Sequence, residues 1–331
     1  MYFSGKIEFG VINQSVSAFN HILGDISLIV YQFQAISAFS AVVDRLGEFN
    51  DILESTSQQS PSSIARTNEV PQPNSNGPVL RKPLLNVNNL TLQTPITKST
   101  LIRDLCLTIT DKDHLLVMGP SGSGKTSLLR AMAGLWDIGN GLISYGIDEG
   151  GVFFLPQKPY MALGTLRQQL LYPNWSVSEP ASGALPFLET RVGTEKVGKP
   201  TDVEITNILK SVRLGFLVDR FGLDGTEEWS SVLSLGEQQR LAFARLLLSK
   251  PRLVLLDEST SALDESNEEH LYRMIEAAGL TYVSVGHRRS LRSYHKRVLR
   301  ITAAADNGAD DLNWQMEDVD CQQFFNFTKG I

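Results

Sequence analysis

The sequence predicts an α/β fold with a largely parallel sheet, preceded by one long helix. Short apolar runs alternate with helical segments between about residues 79 and 305, as in HLLVMG, GVFFLP, RLVLLD and TYVSVGH. Each run ends in a small or polar residue, and ligands of such sheets bind where the strands end. Residues 9–46 instead place apolar side chains at alternating steps of three and four, which is the spacing of one face of a helix.

Composition limits the class of protein and its compartment. Of the 331 residues, 42% are hydrophobic and 20% are charged, and the net charge of -6 argues against nucleic-acid binding, which favours a basic face. Cys106 and Cys321 have no CxxC partner, so no disulfide framework is expected and a reducing compartment is favoured. The first ten residues contain one lysine and no compact apolar core, so they do not predict a signal peptide.

The long helix has two interpretations. At ~1.5 Å per residue, about 38 residues span roughly 57 Å, nearly twice the ~30 Å of a bilayer's hydrocarbon core. The helix carries His21 and Asp25, and no uninterrupted apolar run of about 18 residues occurs in the chain. It is therefore either a soluble coiled coil or a membrane helix whose polar residues face a cavity.

The chain divides into four predicted segments. The helix occupies residues 1–50, and residues 51–78 form a linker rich in Ser, Gln, Pro and Asn that cannot bury enough apolar surface to fold. The α/β domain covers residues 79–305, with a Gly/Pro/Ser-rich surface insertion at 174–202. Residues 306–331 are predicted to be an acidic tail.

A phosphate-binding loop follows the first buried strand. The segment GPSGSGKTS fits G-x-x-x-x-G-K-[ST] between the strand HLLVMG and a predicted helix, so its backbone N–H groups and the helix N-terminus can surround a phosphate. Lys125 is expected to reach the β- and γ-phosphates and the Thr126 hydroxyl to bind Mg²⁺. The predicted nucleotide contacts are Gly119, Pro120, Ser121, Gly122, Ser123, Gly124, Lys125, Thr126 and Ser127.

Polar side chains end three other strands. RLVLLDE ends in Asp257 and Glu258, and adjacent carboxylates are costly to desolvate without a cation or partner. We expect Asp257 to hold Mg²⁺ through water and Glu258 to polarise the water that attacks the γ-phosphate. Gln157 closes FFLPQ and is predicted to contact both Mg²⁺ and that water, while His287 closes TYVSVGH and can hydrogen-bond a γ-phosphate.

The segment LSLGEQQR predicts the start of a helix far from the phosphate loop in sequence. Ser234 and Glu237 have the S-x-x-E spacing of a capping box, which opens many ordinary helices. The small residues Ser234 and Gly236 at its tip are also compatible with close approach to an anion.

The motifs GPSGSGKT, LPQKP, LSLGEQQR, LLDESTSALD and SVGHR, in this order, resemble the nucleotide-binding domain of ATP-binding-cassette (ABC) proteins over about residues 79–303. The resemblance implies a RecA-like core, an antiparallel β subdomain and a helical signature subdomain, with ATP and Mg²⁺ as ligands. It implies that Lys125 and Thr126 belong to the Walker A loop, and Asp257 with catalytic Glu258 to Walker B. Gln157 becomes the Q-loop glutamine and His287 the switch histidine.

The same resemblance gives the tip of LSLGE a role. Two nucleotide domains of such proteins meet head to tail, and the signature helix of one binds the γ-phosphate of ATP held by the other. This implies nucleotide contacts from Ser234, Leu235, Gly236 and Glu237, and places Asp264 in the D-loop. Two departures weaken the match, since Leu235 replaces a usual glycine and Thr94 stands about where an adenine-stacking tyrosine is common.

Finer motifs resemble subfamily D, the half-transporters related to peroxisomal fatty-acyl-CoA carriers, including plant plastid-type members. They are GLWDIGNGLI, ALGTLRQQLLYP and SVGHRRSLRSYH, while GKIEFGVINQSVSAFNHILGDIS resembles the last membrane helix of that subfamily. The resemblance implies an integral membrane protein of the plastid envelope or peroxisome, a second half-transporter subunit, and a lipid-like or acyl substrate. It also implies that this chain is the C-terminal part of a subunit. The alternatives are a soluble, non-transport ABC ATPase and a P-loop kinase of small molecules.

Overall fold

The computed structural model describes residues 9–56, 63–68, 83–147, 151–173, 198–302 and 312–319. These residues belong to two compact units, Met1–Pro61 and Ser62–Ile331. Each unit is described by itself below.

The described residues of the first unit form one helix, α1 (Phe9–Thr56), of 48 residues. A long helix is thus confirmed, and it extends beyond the predicted residue 46. Among the described helices, none combines the length and the apolar character that crossing a membrane requires. The transmembrane character predicted for residues 1–50 is thus not seen in the described part of α1, where Asn13, Asn20, His21 and Asp25 lie among the apolar residues.

A six-stranded sheet forms the centre of the second unit. Its spatial order is β10-β9-β4-β8-β7-β6, and only β10 is antiparallel to its neighbour. The strands are β4 (Leu115–Met118), β6 (Val152–Leu155), β7 (Leu253–Asp257), β8 (Thr281–Val285), β9 (Arg297–Ile301) and β10 (Trp314–Asp318). The four predicted strands are confirmed: β4, β7 and β8 are buried as expected, whereas three of the four residues of β6 are half-buried. Strand β10 falls in the segment predicted as a tail, where the Trp314 indole N–H donates to the Arg103 carbonyl at 2.9 Å.

A second, four-stranded sheet has the order β1-β5-β2-β3. Its strands are β1 (Ala65–Thr67), β2 (Pro83–Gln93), β3 (Thr100–Thr110) and β5 (Gly139–Tyr145). Strand β2 is antiparallel to both β3 and β5, as the ABC resemblance implied, but β1 runs parallel to β5. Strand β1 lies inside the stretch predicted as a linker, and buried Ile64 just before it packs into the core beside this sheet.

Helices cover the sheets and complete two apolar cores. They are α2 (Lys125–Met132), α3 (Leu166–Leu171), α4 (Asp202–Ser211), α5 (Phe216–Phe221), α6 (Trp229–Val232), α7 (Leu235–Ser249), α8 (Glu265–Ala277) and a 3₁₀ helix (Arg289–Tyr294). One core contains α7 with the helices around it, and the other lies around α2 and both sheets. Of the predicted insertion at 174–202, residues 174–197 lie outside the described residues.

The parallel strands of the six-stranded sheet bring the sequence motifs to one edge of that sheet. Strands β4, β6, β7 and β8 are mutually parallel, so their carboxyl ends lie on the same side of the sheet. Gly119 follows β4, Gln157 follows β6, Glu258 follows β7 and His287 follows β8. Four segments that are distant in sequence therefore converge on one site.

Candidate nucleotide site

The loop between β4 and α2 has the geometry of a phosphate cradle. Gly124 adopts a left-handed conformation with φ 92° before α2, and a Cβ there would lie 3.0 Å from the Leu101 Cβ. A Cβ on Gly119 would lie 2.3 Å from the Ile301 carbonyl oxygen. No side chain caps α2, whereas side chains cap α3, α4, α7 and α8. The first N–H groups of α2 are therefore available to an anion.

Lys125 lies folded over this loop. Its side chain is buried, and Nζ donates to the carbonyl oxygens of Gly119 at 3.0 Å and Pro120 at 2.7 Å. Burial lowers the pKa of the Lys125 ammonium, and the negative charges of Glu258 and Asp257 act in the opposite direction. The ammonium is thus held at the loop, where a phosphate would add negative charge and favour the protonated form.

The remaining loop residues differ in exposure. Pro120, Ser121 and Gly122 are exposed, and Ser127 is half-buried in the first turn of α2. The Ser123 hydroxyl is buried and has no hydrogen-bond partner among the described residues. Because a buried hydroxyl without a partner is costly, a phosphate oxygen at this loop would satisfy it.

Thr126 and Asp257 form the metal side of the site. The Thr126 hydroxyl donates to Asp257 Oδ1 at 2.9 Å. Burial raises the pKa of the Asp257 carboxyl, and the hydrogen bond from Thr126 opposes that rise. Hydroxyl and carboxylate oxygens are the hard donors that Mg²⁺ prefers, so this pair fits the ion that the sequence implied.

Glu258 lies between the ends of two neighbouring strands. Its Oε2 accepts a hydrogen bond from Gln157 Nε2 at 3.0 Å, and its Oε1 is hydrogen-bonded to His287 Nε2 at 3.0 Å. Glu258 has φ 48°, a left-handed conformation that is uncommon outside glycine, and its N–H donates to the Val285 carbonyl at 3.2 Å. The backbone thus turns sharply after β7 and holds the carboxylate between an amide and an imidazole.

The predicted capping box of α7 is present. Glu237 Oε2 accepts from the Ser234 N–H at 2.8 Å and from the Ser234 hydroxyl at 2.7 Å, while the Glu237 N–H donates to Ser234 Oγ at 3.4 Å. A Cβ on Gly236 would lie 3.1 Å from the Ala262 carbonyl oxygen, so glycine gives this backbone its close approach within one chain. Leu235 is 40% exposed at the tip.

The structure does not bring all predicted residues together. Thr126 is hydrogen-bonded to Asp257. Gln157 and His287 are both hydrogen-bonded to Glu258, the residue that follows Asp257. Within the described part of the chain, the hydrogen bonds of Ser234 and Glu237 instead join these two residues to each other. Asp264 caps α8 by accepting from the Asn267 N–H at 2.7 Å, and these hydrogen bonds lower the pKa of its carboxyl.

Thr94 begins the turn between β2 and β3. Its N–H donates to the Ser99 carbonyl at 3.0 Å, and its hydroxyl lies 2.6 Å from that of Thr97. Ile96 in the same turn is 94% exposed, and residues 94–99 include no aromatic residue. The turn therefore offers aliphatic and hydroxyl groups rather than an aromatic face.

Two buried polar networks beside the site were not predicted. Glu268 is buried on α8 and accepts from Thr260 Oγ1 at 3.0 Å, Ser290 Oγ at 3.0 Å and Arg288 Nη1 at 3.3 Å. Gln239 on α7 contacts the backbone of Gln157. The motif SVGHR contains Arg288, and LSLGEQQR contains Gln239, but nothing in the spacing distinguishes them from exposed polar residues.

Known proteins match both the domain and most of the chain. Residues 102–261 match the ABC transporter family. ABC transporter D family member 2, chloroplastic, from Arabidopsis thaliana is 54% identical over 97% of this chain and 50% of its own length. Lysosomal cobalamin transporter ABCD4 from Homo sapiens is 41% identical over 65% of this chain and 34% of its own length. The chain thus spans half or less of the length of these curated relatives.

A solved structure has the same fold. A bacterial Atm1-family ABC exporter with ATP bound aligns with a TM-score of 0.55 and 20% identity, covering 80% of this chain and 43% of that one. Residues 102–261 thus belong to the ABC transporter family, and the chain as a whole is similar to members of its D family.

Proposed function

We propose that the chain is the ATP-hydrolysing part of a D-family half-transporter and works as a dimer with a second half-transporter subunit, identical or related. The supporting observation is the position of the Glu258 carboxylate. It lies between Gln157 and His287 at 3.0 Å from each, next to the Thr126–Asp257 pair. This arrangement suits the activation of a water beside a γ-phosphate.

Each residue has a distinct part in this proposal. Lys125 and the N–H groups at the start of α2 bind the β- and γ-phosphates of ATP. Mg²⁺, held by Thr126 and Asp257 with Gln157, would supply positive charge to the phosphate oxygens. Glu258 orients the attacking water and accepts its proton. His287 Nε2 is hydrogen-bonded to the Glu258 carboxylate in this structure, and with ATP bound the same N–H would turn to the γ-phosphate.

The second subunit completes the site. We infer that Ser234, Leu235, Gly236 and Glu237 face the γ-phosphate bound by the partner, as the ABC resemblance implied, and that Asp264 lies at the same interface. The N-terminus of the 15-residue α7 carries a partial positive charge that favours an anion. The capping box leaves the N–H groups of Leu235 and Gly236 outside its hydrogen bonds, so capping and phosphate binding are compatible.

We further propose that ATP hydrolysis powers transport by an integral membrane assembly. The relative named chloroplastic favours the plastid envelope over the peroxisomal membrane. A fatty acid or fatty acyl-CoA is the substrate suggested by the D-family resemblance, whereas another relative is named for cobalamin. Transport assays should therefore include both classes. Carbonate extraction of native membranes tests the assembly, and full release into the supernatant would favour a soluble ABC ATPase instead.

The test of hydrolysis is Glu258→Gln. We expect turnover to fall about 10²-fold or more, the scale of general-base catalysis, while ATP binding persists because Lys125 and its loop are intact. Glu276→Gln is the matched control, since Glu276 is exposed in the last turn of α8 and has no part in the proposed site. Equal hydrolysis by Glu258→Gln and the parent would remove Glu258 from this role.

A further inference from the structure

The side chain of Gln239 connects three segments around the site. It is fully buried in the second turn of α7. Its Nε2 donates to the Gln157 carbonyl at 2.9 Å and to Ser261 Oγ at 3.3 Å, and its Oε1 accepts from the Ala262 N–H at 3.1 Å. A primary amide is suited to this position because it donates and accepts at the same end.

The hydrogen-bond partners of Gln239 belong to two segments that adjoin Glu258. Gln157 is the residue whose own side chain donates to Glu258. Ser261 and Ala262 follow Glu258 in the segment that leads to Asp264, and the tip of α7 touches this segment where Gly236 faces the Ala262 carbonyl. Gln239 therefore links the signature helix to the residues that position Glu258 and to the segment predicted to meet the partner.

We propose that Gln239 is a positioning residue for ATP hydrolysis. Its hydrogen bond to the Gln157 carbonyl fixes the backbone of Gln157, and the side chain of Gln157 in turn donates to Glu258. Its hydrogen bonds to Ser261 and Ala262 fix the segment after Glu258 against α7. This inference deepens the proposed ATPase function and rests on it. Arg288 also holds this segment, donating to the carbonyls of Ser261 at 3.0 Å and Leu263 at 2.8 Å. Because Arg288 would still hold this segment, the replacement of Gln239 should mainly displace the backbone of Gln157.

The neighbouring residue supplies a matched control. Gln238 is also buried on α7, and its Nε2 donates to the carbonyls of Ser230 at 3.1 Å and Leu233 at 2.8 Å. These are ordinary backbone contacts before the helix, and none involves Gln157 or the 261–262 segment. Each replacement by leucine removes two hydrogen bonds that a buried Nε2 donates from the same helix. Gln239→Leu also removes the bond that Oε1 accepts, whereas Gln238 Oε1 has no partner among the described residues, so both variants should be destabilised on the same scale.

The experiment compares Gln239→Leu and Gln238→Leu with the parent chain. We expect Gln239→Leu to lower kcat for ATP about 10- to 100-fold, as small misplacements of catalytic groups do, with the Kd of a fluorescent ATP analogue changed less than about threefold. Gln238→Leu should lower the melting temperature comparably and keep kcat within about threefold of the parent. An equal loss of kcat in both variants would overturn the inference.

A second variant keeps the inference testable if leucine prevents folding. In Gln239→Glu, the ionised carboxylate still accepts from the Ala262 N–H but cannot donate to the Gln157 carbonyl. Burial raises the pKa of a carboxyl, and its protonated form would restore the donor. The ratio of variant to parent kcat should therefore increase from pH 8 to pH 6, whereas a ratio independent of pH would contradict the positioning role. A parent without ATPase activity would instead overturn the proposed function, and this inference with it.

Discussion

Replacing Thr126 by valine tests the metal side of the site in three measurable ways. The change keeps the branched shape and removes the hydroxyl that donates to buried Asp257 at 2.9 Å. A hydrogen bond to a charged group contributes about 1.5–3 kcal/mol, equivalent to about a 10- to 150-fold change in an equilibrium constant. Thr126→Ser is the control, because it retains the hydroxyl.

The first two effects concern the protein without nucleotide. Asp257 loses a hydrogen bond that lowers its pKa, so the pKa of its carboxyl, already raised by burial, should rise further. A carboxyl whose pKa is higher in the folded than in the unfolded state lowers the stability of the fold at pH values where it is ionised. This loss of stability disappears as the pH falls through the folded-state pKa and the carboxyl becomes protonated. Thr126→Val should therefore be less stable than the parent at neutral pH by up to about 3 kcal/mol, and the difference should shrink in acid.

The third effect concerns catalysis. The Mg²⁺ concentration that gives half-maximal ATPase activity should rise about tenfold or more in Thr126→Val, because one oxygen ligand is gone. The acid limb of its pH–rate profile should move to higher pH, because less Asp257 is ionised at a given pH. Urea unfolding and ATPase titrations with Mg²⁺ measure these quantities. If valine, serine and threonine gave the same Mg²⁺ dependence, the Thr126–Asp257 pair would not be the metal site.

Two further predictions separate structural from functional roles. Ser234→Arg should abolish ATPase activity by obstructing the phosphate bound by the partner. Thr201→Arg breaks the equivalent capping box of α4 and should cost only about 1 kcal/mol of stability. Equal losses of activity in the two variants would contradict the composite site. His114→Phe should weaken acid denaturation, because burial lowers the pKa of His114 from 6.5 to about 4 and the unfolded chain therefore takes up a proton below pH 6.5. The phenylalanine ring would keep the stack on Tyr282. With these pKa values, the slope of the unfolding free energy against pH between 6 and 5 should fall by about 1.2 kcal/mol per pH unit in the variant. Identical slopes in the variant and the parent would show that His114 does not titrate this way.

Much of the site could be predicted because strand ends and turns are local features of the sequence. The phosphate loop, the capping box of Ser234 and the polar residues that end β6, β7 and β8 depend on short spacings, and parallel strands bring their ends to one edge. The contact of Gln157 and His287 with Glu258 follows from that convergence.

Features that depend on distant contacts could not be predicted. The left-handed φ of Glu258 and the buried bonds of Gln239 arise from packing between segments, and their sequence pattern does not differ from that of exposed polar residues. Strand β1 lies in a stretch whose overall composition favours a linker, and it forms because Ile64 is buried and the Ile64 N–H donates to the Asp137 carbonyl at 3.1 Å. For α1, the prediction of a long helix is confirmed, and none of the described helices is apolar enough over a sufficient length to cross a membrane.

The most direct test of the account is the mass of the Glu258→Gln chain in solution with ATP and Mg²⁺, measured by light scattering during size-exclusion chromatography. We predict a nucleotide-dependent dimer, lost when Ser234→Arg is added, because the signature helix of each copy completes the other's site. A chain that stays monomeric with ATP and Mg²⁺ bound, or that forms the same dimer despite Ser234→Arg, would contradict the composite site.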